Sequence, residues 1–100
     1  NKNVLEGSTT NLILIKNNNI FLPKGNFYRG ITLEFLLSKI GKDYRNKFIK
    51  FADLESADEI ILVGSGKGVI NVSSIPSIKW FSSSSKMFNR LLAIYKQLLK

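Results

Sequence analysis

The apolar positions of this 100-residue chain fall into short runs separated by polar or glycine-rich breaks. Asn11–Lys16, N-L-I-L-I-K, holds four consecutive apolar residues, as a strand buried on both faces would. Asn17-Asn18-Asn19 follows, a run that tolerates positive φ. Ile20-Phe21-Leu22 then returns as a second strand stopped by Pro23, so this stretch predicts a β-hairpin. After a loop over 23–29, Leu33, Leu36, Leu37 and Ile40 recur at helical spacing. Gly30-Ile31-Thr32 opens that helix and Gly41 stops it.

The charged connection K-D-Y-R-N-K leads to Phe48, Ile49 and Phe51, which predict a strand over 47–51. Residues 52–57 allow one or two helical turns. Ile60–Val63 is the most hydrophobic segment, and its length and β-branching predict a buried strand. The glycine-rich G-S-G-K-G comes next, then strands over 69–75 and 78–81. Ser82–Ser85 offers helix caps. The last helix is predicted from Ser84 to Leu99, with Phe88, Leu91, Leu92, Tyr95, Leu98 and Leu99 as its core-facing stripe. The pattern predicts an α+β (mixed α/β) fold in one domain over 1–100: a β-hairpin, a helix, several strands and a C-terminal helix.

Composition narrows the chemistry. Apolar residues make up 44% of the chain, enough for a core. There is no cysteine, hence no disulfide framework or thiolate metal site. There is no histidine, the commonest general base and metal ligand, so no metal is expected. The apolar runs are far shorter than a membrane span, and Asn1-Lys2-Asn3 leads only into the short Val4-Leu5 pair. A cytoplasmic protein without membrane partners is expected. The net charge of +8 comes from scattered lysines, with no block of five like charges. A solvated basic surface is therefore preferred over a nucleic-acid face. A basic, non-enzymatic RNA-binding α+β module stands as the alternative from another function class.

Glu34 and Glu55 read as solvated helix positions, and Asp58-Glu59 as the boundary of the buried strand. Glu6 differs, because it sits in E-G-S-T-T-N directly before a strand. Three loops of small residues stand out: 6–11, 30–32 and 64–68. Gly30-Ile31-Thr32 would present unpaired N–H groups at a helix start, where an anion is favoured. The loop G-S-G-K-G has no Cβ at its glycines to keep an anion from the backbone. It is not a nucleotide P-loop: Ile61 stands where the first glycine belongs, Gly68 where Ser or Thr belongs, and a strand follows in place of a helix.

Taken in order, E-G-S-T-T-N, G-I-T, and A-D-E-I with G-S-G-K-G resemble the C-terminal half of class IV aminotransferases, the fold-type-IV pyridoxal-phosphate enzymes. The resemblance runs over roughly 4–99. It implies that Glu6 pairs with the cofactor's pyridine nitrogen, keeping the ring protonated as an electron sink. It implies that Ile31, Thr32 and Ser65 hold the cofactor phosphate, and that Gly66 lies near the substrate carboxylate. Thr9, Thr10 and Asn11 match a polar stretch that lines or supports the pocket. Within the family, S-G-K-G is similar to the loop of lyase-like, chorismate-processing members, with Lys67 in the basic position that would meet a substrate carboxylate. Gly66 replaces the usual leucine there, and Leu33 an arginine common after G-I-T. The implied activity is that of a 4-amino-4-deoxychorismate lyase acting in folate synthesis, with a branched-chain or D-amino-acid aminotransferase as the near rival. The parent enzyme is expected to be a homodimer. The family's Schiff-base lysine and phosphate-clamping arginine lie some tens of residues before the Glu6 position. The chain therefore resembles the C-terminal portion of a longer enzyme and is expected to be inactive alone.

Overall fold

A computed structural model describes residues 10–24, 29–41, 43–64 and 68–99. The elements run β1 (Asn11–Lys16), β2 (Asn19–Pro23), α1 (Ile31–Ile40), β3 (Tyr44–Lys47), α2 (Phe51–Ser56), β4 (Glu59–Gly64), β5 (Gly68–Val72), β6 (Ser74–Ile75), a 3₁₀ turn at Pro76–Ile78, β7 (Trp80–Phe81) and α3 (Lys86–Leu98). The main sheet has five strands in the order β3-β2-β1-β4-β5. β1 is antiparallel to both β2 and β4, and β5 is antiparallel to β4. β3 lies parallel to β2, and α1 is the crossover between them. β6 and β7 form a separate two-stranded ribbon.

The all-apolar strands alternate between two cores, which is why they show no polar face. On one side Ile13, Ile15, Ile20, Leu22, Ile61 and Val63 pack with Leu33, Leu36, Leu37 and Ile40 of α1 and Leu91 of α3. On the other, Leu12, Leu14 and Ile60 pack with Leu54, Ala57 and Trp80. The register enforces this sorting: Ile13 faces Ile61 across β1 and β4, while Leu12 faces Leu62. Asn17 and Asn18 form the hairpin turn at φ 52° and 65°, the left-handed region that asparagine tolerates. Trp80 anchors the ribbon by donating its indole N–H to the Ala57 carbonyl at 2.8 Å.

The structure revises four sequence expectations. The strand expected at 47–51 lies earlier, at Tyr44–Lys47. It is a polar edge strand, and only Tyr44 is only partly exposed while Arg45, Asn46 and Lys47 face solvent. Its place is set by backbone pairing to β2 and not by its own apolarity. Phe48 and Phe51, whose apolarity suggested the strand, are largely exposed. The strand expected over 69–75 breaks after Val72, and its tail joins the ribbon as β6. The stripe on α3 is only half core. Leu91 is buried and Phe88, Leu92 and Tyr95 pack against it, but Leu98 and Leu99 are exposed.

The fourth revision concerns Asp58-Glu59, which is a junction and not a mere strand boundary. Asp58 accepts the Asn17 N–H at 2.8 Å through its carboxylate and the Ser83 N–H at 3.0 Å through its carbonyl. Glu59 points toward the helical layer and is 1% exposed. Its Oε2 accepts the Met87 N–H at 3.0 Å and its Oε1 the Phe88 N–H at 2.9 Å. Ser84 Oγ accepts the Lys86 N–H at 3.2 Å. The side chain of the N-cap residue, Ser85, makes no capping bond. A distant carboxylate thus fills the start of α3, where both the orphan donors and the helix dipole favour negative charge.

Two predictions follow from these contacts. Glu59→Ala removes two charge-assisted bonds and should lower stability by about 2–3 kcal/mol in urea unfolding, with Glu59→Gln losing clearly less. Asp53 accepts from Lys47 Nζ and from the Lys50 N–H, both at 2.8 Å. The Lys47 hydrogen bond, then the Lys50 backbone bond, hold its carboxyl below the usual range. A lowered folded-state value means stabilisation that is present above the unfolded value of about 4 and is lost as pH falls through the folded one. Asp53→Asn should flatten the fall of melting temperature below about pH 4. An unchanged slope would rule out that linkage.

Candidate cofactor-binding site

One end of the sheet collects the small-residue segments. Asn11, the first residue of β1, pairs with Val63 of β4, and Gly64 pairs with Gly68 across the next hairpin. α1 starts beside them. Its N-cap is Gly30, in extended conformation, which has no side chain of its own to cap the helix. The first intrahelical bond runs from the Glu34 N–H to the Gly30 carbonyl at 3.0 Å. Four donors at this end therefore lack intrahelical acceptors: the N–H groups of Gly30, Ile31, Thr32 and Leu33. The Gly30 N–H goes to Asn11 Oδ1 at 3.1 Å, in a buried contact. Among the described residues, no side chain other than that of Asn11 accepts from this helix start. A glycine N-cap, which cannot fold a side chain back over its own helix, leaves the other three donors to an outside acceptor.

The side chains at this helix start divide their roles. Thr32 is 4% exposed and belongs to the packed layer, whereas Ile31 is 75% exposed. Ile31 therefore offers its backbone N–H and an apolar surface. Arg29, the nearest cation in sequence, is directed toward β3. It donates to Asn46 Oδ1 at 3.1 Å and lies 5.8 Å from the centre of the Tyr44 ring.

At the other side of the site, Gly68 has φ 76°. A Cβ built there would stand 2.7 Å from Tyr95 Cε2, so the ring lies directly on the backbone. Tyr95 reads in sequence as one more core residue of the α3 stripe. Its contact with the end of the glycine loop has no signal in the sequence, because it depends on where α3 lies across β5. The structure thus brings together Ile31, Thr32, Asn11 and the base of the glycine loop. Glu6, Thr9, Ser65, Gly66 and Lys67 lie outside the described residues. A concavity of about 360 Å³, lined by Ile20, Tyr44, Arg45, Met87 and Arg90 among others, sits away from this site, at the opposite end of β2.

The family model for amino-transferase class IV matches residues 1–75. The chain belongs to the class IV aminotransferase family. Solved structures agree on the fold. A protein from Legionella pneumophila, provisionally named 4-amino-4-deoxychorismate lyase, is 27% identical with a TM-score of 0.74, over 88% of this chain and 34% of its own. The branched-chain amino acid aminotransferase of Escherichia coli is 23% identical with a TM-score of 0.69, over 82% of this chain and 30% of its own. An aminotransferase from Brucella abortus, solved with its cofactor PLP, is 24% identical with a TM-score of 0.72, over 90% of this chain and 33% of its own. The chain spans about a third of the length of these proteins. No curated protein sequence matches it significantly. Among the described residues, no helix is long and apolar enough to cross a membrane.

The residues present fit the phosphate end of a pyridoxal cofactor. Uncapped donors at a helix start suit an anion. Gly68→Ala should lower stability by about 1–3 kcal/mol, because it combines a positive φ with a clash against an aromatic ring. In a Tyr95→Leu background the same substitution should cost less, since only the backbone part remains. Equal costs in the two backgrounds, measured by thermal unfolding, would show that the ring does not press on this turn.

Proposed function

We propose that this chain is the C-terminal, cofactor-binding part of a pyridoxal-phosphate-dependent 4-amino-4-deoxychorismate lyase, which eliminates pyruvate to leave 4-aminobenzoate in folate synthesis. The observation that carries the cofactor reading is the open start of α1, tied to β1 through Asn11 and left uncapped at Gly30. Family membership supports it. The choice of lyase rests on the S-G-K-G loop and on the 27% identity with the Legionella protein.

Pyridoxal phosphate, when bound, supplies an electron sink for charge developing on the substrate carbon. The chain's own groups do the rest. The Ile31 and Thr32 N–H groups would donate to the phosphate, with the Ser65 hydroxyl as a further donor. Glu6 would keep the pyridine nitrogen protonated. Gly66 lets a substrate carboxylate approach, and Lys67 gives it a cationic partner, which suits a substrate with two carboxylates. None of these 100 residues matches the lysine that carries the cofactor in this family, so no lysine here is assigned that role and the isolated chain is assigned no turnover. The parent enzyme is a homodimer in this reading.

An amino-acid aminotransferase remains the rival because structures of that activity share the fold. Assay of the parent enzyme separates the two. Release of pyruvate from aminodeoxychorismate, without amino transfer to 2-oxoglutarate, is the expected result; the reverse pattern would reject the lyase. For the isolated chain, pyridoxal phosphate should give no borohydride-reducible absorbance band that maps to a single lysine. Such a band would contradict the assignment of the carrier lysine elsewhere.

A further inference from the structure

We infer that Asn11 is the positioning residue of the anion site, and that its neutral amide is as important as the bond it makes. The inference rests on the phosphate reading of the α1 start given above.

Asn11 is 7% exposed and opens β1, the central strand of the sheet. Its Oδ1 takes the N–H of Gly30, the residue just before α1, across 19 positions of sequence. This contact does two things. It satisfies one of the four orphan donors internally, and it pins the helix start to the central strand of the sheet. The three donors that follow are thereby held in fixed positions and directions. A loosely held helix start would have to order itself on binding, which weakens affinity.

An acceptor alone does not require asparagine. Aspartate has the same shape and accepts from the Gly30 N–H at least as well, although it gives up the amide's N–H donors. A carboxylate at a helix start is also stabilising for the protein alone. It would, however, place a negative charge beside the remaining donors and compete with the anion they are to bind. The same fold shows that solution at the start of α3, where the buried Glu59 carboxylate takes the Met87 and Phe88 N–H groups. At α1 the internal acceptor is uncharged, so the favourable potential of the helix start is left for a ligand. Asn11 therefore separates positioning from neutralisation.

The test titrates the 100-residue chain with inorganic phosphate and follows backbone amide resonances by ¹⁵N NMR, with chloride at equal ionic strength as the control. In the wild type, the Ile31 and Thr32 amides should shift with phosphate in a saturable way. Asn11→Asp should keep a folded spectrum, yet bind phosphate at least tenfold more weakly at neutral pH. Lowering the pH toward 4 should narrow that gap as the new carboxyl protonates. Asn11→Ala, which lacks the acceptor without adding charge, should weaken phosphate binding with no such pH dependence. It carries the test if the aspartate variant does not fold. If the wild type responds and Asn11→Asp titrates identically, or if Asn11→Ala binds as tightly as the wild type, the inference is overturned while the phosphate site stands. If the wild-type Ile31 and Thr32 amides do not respond to phosphate at all, the site reading fails and the inference falls with it.

Discussion

The carboxylate of Glu59 holds the helical layer to the sheet. It belongs to the first residue of β4, yet its hydrogen bonds end on α3, 28 and 29 residues later. A buried charge is tolerated only where donors surround it, so the bond fixes both partners. α3 can begin in one place only, over the start of β4, and its remaining turns then run across β5. That placement puts Leu91 in the core and Tyr95 on the backbone of Gly68. The geometry at the base of the glycine loop is thus set from the far end of the same helix. Asp58 ties the β1–β2 turn and the approach to α3 to the same point.

The parts of the fold legible in sequence were those where a local pattern and the tertiary environment agree. Four apolar residues in a row at β1 and β4 announced strands covered on both faces. The asparagines announced a turn with positive φ. Leu33, Leu36, Leu37 and Ile40 announced α1, and Gly41 at φ 70° ended it. The misreadings share one cause, which is pairing decided outside the segment. β3 carries almost no apolar signal because it is an edge strand whose register comes from β2. Phe48 and Phe51 carry a strong one and face solvent, with Lys24 Nζ 5.6 Å from the Phe48 ring centre.

The candidate site was legible through resemblance more than through physics. Helix-start logic alone pointed to Gly30-Ile31-Thr32, since a glycine N-cap leaves donors open. Nothing local showed that Asn11 would reach Gly30, or that Tyr95 would sit on Gly68. Both are contacts between segments far apart in sequence. Asp58-Glu59 reads as a strand boundary for the same reason: the partner of Glu59 is a helix that lies beyond β5 and the β6–β7 ribbon. Among the described residues one polar atom, Asn71 Oδ1, is buried without a partner, and nothing in the structure accounts for it.

The two long helices pose the same electrostatic problem and receive opposite answers. Each start has a cluster of N–H groups and the positive end of a dipole. At α3 the chain supplies a full negative charge from its own interior, together with a serine hydroxyl, and the start is closed to any other anion. At α1 it supplies a glycine cap and one neutral amide oxygen, which immobilise the start without discharging it. A protein concerned only with stability would gain by capping both. Leaving α1 open forgoes the contribution of a cap, about 1 kcal/mol in ordinary cases. That unused stabilisation is what a phosphate group would collect on binding, and the buried bond from Asn11 ensures that the donors are already in place when it arrives.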